Sequence, residues 1–149
     1  MWSALFTFTN GLAFLCWAIL VFGPRRPLPL AFILYGGVAL LCASYAAGMA
    51  AMLLGADPGG IAGGDVGFSS IDGVRAFFAT DAGVAIGWTH YLALDLFVGL
   101  WIAKDAAAKG FSRLVQTPFL FLSFLAGPVG LLVWLVVREK RARAHGRPQ

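Results

Sequence analysis

Long stretches of this sequence carry no charge, and they are long enough to cross a membrane. Charged side chains are absent from residues 1–23, 27–56 and 117–137, and residues 82–103 contain only Asp95. At about 1.5 Å per helical residue, each stretch can span a hydrocarbon core of roughly 30 Å. We therefore predict an all-α integral membrane protein with four transmembrane helices, over about residues 2–22, 28–54, 82–103 and 119–137.

The segment between the second and third predicted spans has two parts. Residues 55–67 contain six glycines, and we expect them to form a flexible loop. Residues 69–80 form a helix of about 20 Å at most, which is too short to span. Ser69 and Asp72 fit a helix-capping pair at its start. We predict a short amphipathic helix that lies in the interface or re-enters the membrane.

The composition supports a membrane protein with one domain. Hydrophobic residues make up 60% of the chain and charged residues 12%, whereas soluble proteins are about 25% charged. Four spans use most of the 149 residues, so we expect residues 1–149 to form a single membrane domain. The first apolar stretch lacks a basic start and a cleavage site, which favours a retained helix. Richness in Ala, Gly and Arg, without a transit peptide, predicts a bacterial inner (plasma) membrane.

The net charge of +4 comes partly from a basic tail, residues 138–149. We expect this tail to anchor the chain at the cytoplasmic face. Four spans would place five basic residues on one side, namely Arg25, Arg26, Lys104, Lys109 and Arg113. The six others would lie opposite, namely Arg75, Arg138, Lys140, Arg141, Arg143 and Arg147. Because this division is nearly even, only the concentrated tail favours an orientation, with both termini inside.

Polar side chains near the middle of the third predicted span are the candidate chemistry. His90, Tyr91 and Asp95 lie within roughly 4 Å of the expected bilayer centre, where a carboxylate costs several kcal/mol unless it is paired, protonated or hydrated. Helical geometry places Tyr91 on the Asp95 side and His90 about 140° away. Asp95 and His90 cannot pair with each other, so each needs a polar partner on another helix, in water or on a ligand. Proton transfer and a structural hydrogen bond both remain open as the role of Asp95.

The segment from Trp88 to Asp105 resembles the hallmark of the abscisic-acid-deficient-four-like family. The similarity continues at Pro118 and through residues 127–131, and more loosely at Asn10. The family consists of four-helix membrane proteins and is named for plant plastid members needed to make neoxanthin from violaxanthin. The resemblance implies an isomerase, or an accessory protein of one, that acts on a carotenoid end group. Opening an epoxide to an allene moves protons without net oxidation.

The resemblance gives the polar residues roles. Asp95 would be the acid or base, His90 its proton partner and Tyr91 a hydrogen-bond donor. Four further residues would contact the substrate, namely Trp88, Trp101, Asn10 and Phe97. We expect no metal and no other cofactor. The expected partners are an apolar, lipid-like carotenoid or isoprenoid and membrane lipids, with no nucleic acid, and the chain is compatible with a homo-oligomer.

Two other functions stay open at this point. The chain could conduct protons or a small solute along a water-filled path lined by Asp95 and His90. Four short helices are few for enclosing such a path, so this function would favour an oligomer. Alternatively, it could bind a lipid or a carotenoid without chemistry.

Overall fold

A computed structural model describes residues 1–55 and 67–145, and for residues 140–145 the backbone alone. The glycine-rich loop and the end of the basic tail therefore lie mostly outside the described residues. The helices in the described part are α1 (Trp2–Phe22), α2 (Pro27–Leu53), α3 (Ile71–Phe78), α4 (Asp81–Ala108), α5 (Arg113–Leu125) and α6 (Gly127–His145). The prediction of an all-helical protein is confirmed.

Three of the helices, α1, α2 and α4, are long and apolar enough to span a membrane. These helices indicate a membrane protein. Helix α4 is the centre of the fold, because it packs against each of the other five helices. It runs parallel to α1, with Thr9 beside Thr89 and Trp17 against Gly99. Helix α2 runs antiparallel to both and is π-helical over Phe32–Ala39.

Two boundaries differ from the sequence prediction. Helix α4 continues past residue 103 to Ala108, because Asp105 pairs with Lys109 and so neutralises charge within its last turns. Helix α3 is capped by Ser70, whose Oγ accepts a hydrogen bond from the Gly73 N–H at 3.1 Å, so the predicted cap at Ser69 is wrong.

The helix predicted over residues 119–137 is two helices that form a hairpin. The helical backbone breaks at Ala126, which is extended (φ −155°, ψ 77°). The Trp134 ring in α6 lies 5.3 Å from the ring of Phe119 in α5, centroid to centroid. In one straight helix these residues would be about 22 Å apart along the axis. The prediction of a single fourth helix is therefore wrong, and both arms of the hairpin point to the same end of the bundle.

The hairpin changes the arrangement of charge. One end of the bundle, which we call the basic end, is where α1 and α4 finish, α2 begins and the hairpin is anchored. It holds six described basic residues, namely Arg25, Arg26, Lys104, Lys109, Arg113 and Arg138. Among described side chains, only Arg75 supplies a basic group at the opposite end. The positive-inside rule therefore predicts that the basic end is cytoplasmic and that the N-terminus lies on the other side. This prediction differs from the one made with four spans, which placed both termini inside.

Cysteine labelling distinguishes the hairpin from a fourth span. In a chain whose native cysteines are replaced by alanine, we expect Ser112→Cys and Glu139→Cys to react with a membrane-impermeant maleimide from the same side of the membrane. Ser69→Cys should react from the opposite side. A fourth span would instead expose Ser112→Cys and Glu139→Cys on opposite sides, which would contradict the hairpin.

Asp105 ties the returning arm of the hairpin to α4. Its Oδ2 accepts hydrogen bonds from Trp134 Nε1 at 3.1 Å and from Arg138 Nε at 2.7 Å. Its Oδ1 accepts from Arg138 Nη2 at 3.0 Å and from Lys109 Nζ at 2.6 Å. The Asp105 side chain is only 10% exposed. A two-point Arg–carboxylate pair at this burial is among the stronger polar contacts in proteins.

We expect Asp105→Asn to lower the free energy of unfolding by about 3 kcal/mol, because it leaves two partly buried cations without their counter-charge. Unfolding in a titration with sodium dodecyl sulfate measures this change. The control is Asp72→Asn, which removes a carboxylate from the exposed pair with Arg75 and should change stability little. Equal losses in the two variants would show that Asp105 does not fasten the hairpin.

Candidate functional site

The tip of the hairpin meets α4 at Asp95. The carboxyl lies against Gly127, where any Cβ atom would overlap Asp95 Oδ1. Asp95 is 7% exposed, and no described basic side chain forms an ion pair with it. Its Oδ2 is buried and accepts no hydrogen bond from the described residues. A carboxyl that is buried without a cation is costly, so it marks this point as a candidate site.

Two neutral groups share the site with this carboxyl. The Tyr91 hydroxyl, one helical turn before Asp95, lies close enough to interact with the carboxyl and with the backbone N–H of Gly127. Helix α6 begins at Gly127, so the positive end of its dipole points at the site. Carboxyl, hydroxyl and helix N-terminus therefore converge in the interior of the bundle. This set can take a proton, donate a hydrogen bond and stabilise negative charge.

A series of side-chain contacts connects Tyr91, beside Asp95 on α4, to Asn10 on α1. The Trp88 ring stacks on the Tyr91 ring at 5.2 Å between centroids. Trp88 Nε1 donates a hydrogen bond of 3.0 Å to Asn10 Oδ1, and Asn10 Nδ2 donates to the Phe6 carbonyl at 2.7 Å. Both polar groups of the Asn10 side chain are thus used, and Trp88 is held in one orientation.

The hairpin covers only half of this face of α4. Between its tip and the opposite end, Val84 and Trp88 of α4 are 44% and 40% exposed, and Phe6 of α1 is 39% exposed. A cleft of about 300 Å³ lies here, lined by Trp2, Ser3, Phe6, Thr7, Asp81, Val84 and Ala85. From Asp81 to Asp95 the face is about 21 Å long. The cleft itself lies at the Asp81 end, and the exposed side chains of Val84 and Trp88 continue this face of α4 towards Asp95. We call the whole face, from Asp81 to Asp95, the α1–α4 groove.

Three of the predicted site residues lie elsewhere. The exposed His90 ring lies 5.4 Å from the Tyr45 ring of α2, on the side of α4 away from Asp95. Phe97 is 48% exposed outside the groove. Trp101 lies nearer the basic end, with the Arg138 guanidinium 5.5 Å from its ring centroid. The structure thus brings together Asp95, Tyr91, Trp88 and Asn10, but not His90, Phe97 or Trp101.

Sequence reasoning did not assign Gly127 to the site. Its signal is the pair Gly127–Pro128 at the depth of Asp95, but a proline there can also kink one continuous helix, so the pair alone does not indicate a hairpin. The actual turn depends on Gly130, because an added Cβ there would lie 2.6 Å from the Ser123 Cα atom on the other arm. Such close approach of two backbones requires glycine.

Most of the chain, including these residues, matches a known protein family. The chain matches the profile of the ABA4-like family, described as ABA DEFICIENT 4-like, over residues 4–134. It belongs to the ABA4-like family. The match includes the four clustered residues and Gly127, so the candidate site lies within the ABA4-like region, whereas Arg138 lies just beyond it. No curated protein and no solved structure matches the chain.

Proposed function

We propose that this protein isomerises the end group of a carotenoid or a related isoprenoid by acid–base chemistry. The observation that supports this proposal best is the carboxyl of Asp95, which has no described ion-pair partner and is buried beside the Tyr91 hydroxyl and the hairpin tip. Membership of the ABA4-like family points to carotenoid-related processes and favours this substrate class. The protein would work in a membrane, as three spans with a hairpin that dips to mid-depth from the basic end.

The groove suits a long apolar molecule that arrives through the lipid. It opens sideways between α1 and α4, and the rings of Trp2, Phe6 and Trp88 supply aromatic surface along it. A polyene could lie along it from the end marked by Asp81 and place its terminal ring at Asp95. Trp88 and Asn10 would then contact the substrate, as the sequence predicted, while Phe97 and Trp101 would face lipid and the hairpin arm instead.

The chemistry needs one proton to move from carbon to oxygen. Asp95 would remove a proton from the carbon next to the epoxide, and the electron pair of that C–H bond would form the new double bond. The C–O bond would break, and its electrons would remain on oxygen. Tyr91 would donate its proton to this oxygen and regain one from Asp95. The positive end of α6 would stabilise the negative charge as it develops. Every atom is retained, and no cofactor is needed.

Variants of Tyr91 and His90 test whether the site contains Tyr91 without His90, as the structure indicates, or both residues, as expected from the sequence. We expect Tyr91→Phe to slow isomer formation about 100-fold, because one hydrogen-bond donor to the developing oxyanion is lost. His90→Phe should leave the rate unchanged, because His90 lies on another face of α4. Pigment chromatography from a host that accumulates epoxy-carotenoids measures both rates. A loss with His90→Phe and none with Tyr91→Phe would reverse the assignment.

Proton conduction is a second candidate, supported by a different observation. Besides Asp95 Oδ2, two further side-chain oxygens, Ser123 Oγ and Gln116 Oε1, are buried without a described hydrogen-bond partner. Both belong to α5, seven residues apart and so on one face of the helix. They mark a route along the hairpin from the basic end towards Asp95, which water could complete.

Liposomes that contain the purified protein test this alternative. Conduction predicts a proton flux that Asp95→Asn and Ser123→Val each abolish, while the exposed Ser3→Val leaves it unchanged. Flux no greater than that of empty liposomes would exclude conduction and leave the isomerase proposal intact.

A further inference from the structure

Three arginines meet at the turn between α1 and α2, at the basic end. Arg25 Nη1 donates a hydrogen bond to the Leu20 carbonyl. Arg113, from the start of α5, donates through Nη2 to the carbonyls of Val21, at 3.3 Å, and Gly23. Arg26 follows Arg25 in the same turn and is exposed. The end of α1 is therefore capped by two guanidinium groups, and a third stands beside them.

These three cations have no described counter-charge. No carboxylate among the described residues forms an ion pair with Arg25, Arg26 or Arg113. Burial and the charge of Arg113 lower the pKa of Arg25. Arg25 Nε is buried and donates to no described acceptor. An anion with several acceptor oxygens would reduce the repulsion among the three arginines and accept hydrogen bonds from their guanidinium groups.

An apolar groove begins directly beneath this turn. It holds about 640 Å³ between α1 and α2 and is lined by Ile19, Leu28, Pro29, Ala31, Phe32, Tyr35 and Gly36. Apart from the Tyr35 hydroxyl, the lining side chains are hydrocarbon. The groove starts within three residues of Arg26 and runs towards the middle of the bundle. The positive charge of the turn thus lies directly above the apolar groove.

We propose that this turn and groove form a binding site for one anionic phospholipid. Its phosphate would accept hydrogen bonds from Arg26 and Arg25, and one acyl chain would lie in the groove. Charge complementarity selects an anionic lipid, because a zwitterionic headgroup brings its own cation to the three arginines. The site lies at the basic end, which the positive-inside rule assigns to the cytoplasmic leaflet. The proposal does not depend on the isomerase function.

Native mass spectrometry of the purified protein tests this site. The probes are phosphatidylglycerol and phosphatidylethanolamine with identical acyl chains, added at equal concentrations. We expect the wild-type chain to retain phosphatidylglycerol preferentially. Arg26→Gln should weaken its binding about fivefold, the typical effect of one basic residue at an anionic surface. Arg26 has no described side-chain contact, so this substitution should not disturb folding.

The matched control is Lys104→Gln, which removes one exposed positive charge at the same end but on α4, away from the groove. It should leave phosphatidylglycerol binding unchanged. Ala31→Trp, which fills the groove, should weaken binding of both lipids. Inorganic phosphate, which lacks an acyl chain, should not displace the bound lipid.

Four results would each overturn the proposal. They are equal retention of the two lipids by the wild-type chain, equal losses with Lys104→Gln and Arg26→Gln, undiminished binding to Ala31→Trp, and displacement by phosphate alone.

Discussion

Replacing Asp95 with asparagine will abolish isomer formation while leaving the protein folded. The Asp95 carboxyl is the base of the proposed reaction, and asparagine preserves its shape but cannot remove a proton. General acid–base groups contribute about 100-fold to 10,000-fold to rate, so we expect a loss of at least about 100-fold. The measurement is the amount of new isomer per amount of folded protein, by liquid chromatography with mass detection.

The control for this variant is Asp72→Asn. It makes the same chemical change at an exposed position on α3, where Asp72 only pairs with Arg75, and should retain full activity. Thermal unfolding of purified Asp95→Asn separates loss of chemistry from loss of fold. A folded Asp95→Asn protein with wild-type product levels would eliminate Asp95 as the acid–base group.

Substitution of Gly130 by alanine will open the hairpin and destabilise the protein. The new Cβ atom would meet Ser123 on the other arm, including its Cα at 2.6 Å, and backbone atoms cannot move aside as a side-chain end can. Overpacking of this kind costs about 3 kcal/mol at the upper end of the usual range. Because separated arms carry Gly127 away from Asp95, we expect isomer formation to fall with stability.

Gly11→Ala is the matched control, because an added Cβ there has no atom within 4 Å. It places the same substitution in an exposed position of α1, where alanine favours the helix by up to about 1 kcal/mol. Thermal unfolding of both variants measures the difference. A Gly130→Ala protein as stable and active as Gly11→Ala would mean that close contact between the arms is not required.

The spanning helices could be predicted from the sequence, because a long apolar stretch without charged residues is stable only in lipid or in a protein interior. The start of α4 at Asp81 and the whole of α1 follow from this pattern alone. The hairpin could not be predicted in this way. A stretch such as residues 117–137 has the same apolar length whether it spans or folds back. The choice depends on tertiary contacts that the apolar pattern does not record, namely Ser123 with Gly130 across the turn and Asp105 with Arg138 between helices.

The hairpin also changes the orientation that the charges predict. With four spans, Arg113 and Arg138 fall on opposite sides of the membrane, and the basic residues divide almost evenly. With the hairpin, both lie at the basic end, and the same residues indicate a clear orientation.

Only the part of the candidate site that lies within helix α4 could be predicted from the sequence. Helical spacing placed Tyr91 beside Asp95 and His90 on another face, and the structure has this arrangement. The partners on other helices could not be derived from spacing. Asn10 on α1 holds Trp88, and Gly127 on α6 closes the site over Asp95. His90 packs on Tyr45 for the same reason, because α2 happens to lie on that side.

The most direct test of the account is a comparison of pigments from one host that accumulates epoxy- and hydroxy-carotenoids. The host is grown with the wild-type chain, with Asp95→Asn and with neither, and folded protein is verified in the membrane fraction. We expect a new carotenoid of unchanged mass with the wild-type chain only. Identical pigments in all three cultures, with the wild-type protein folded in the membrane, would contradict it.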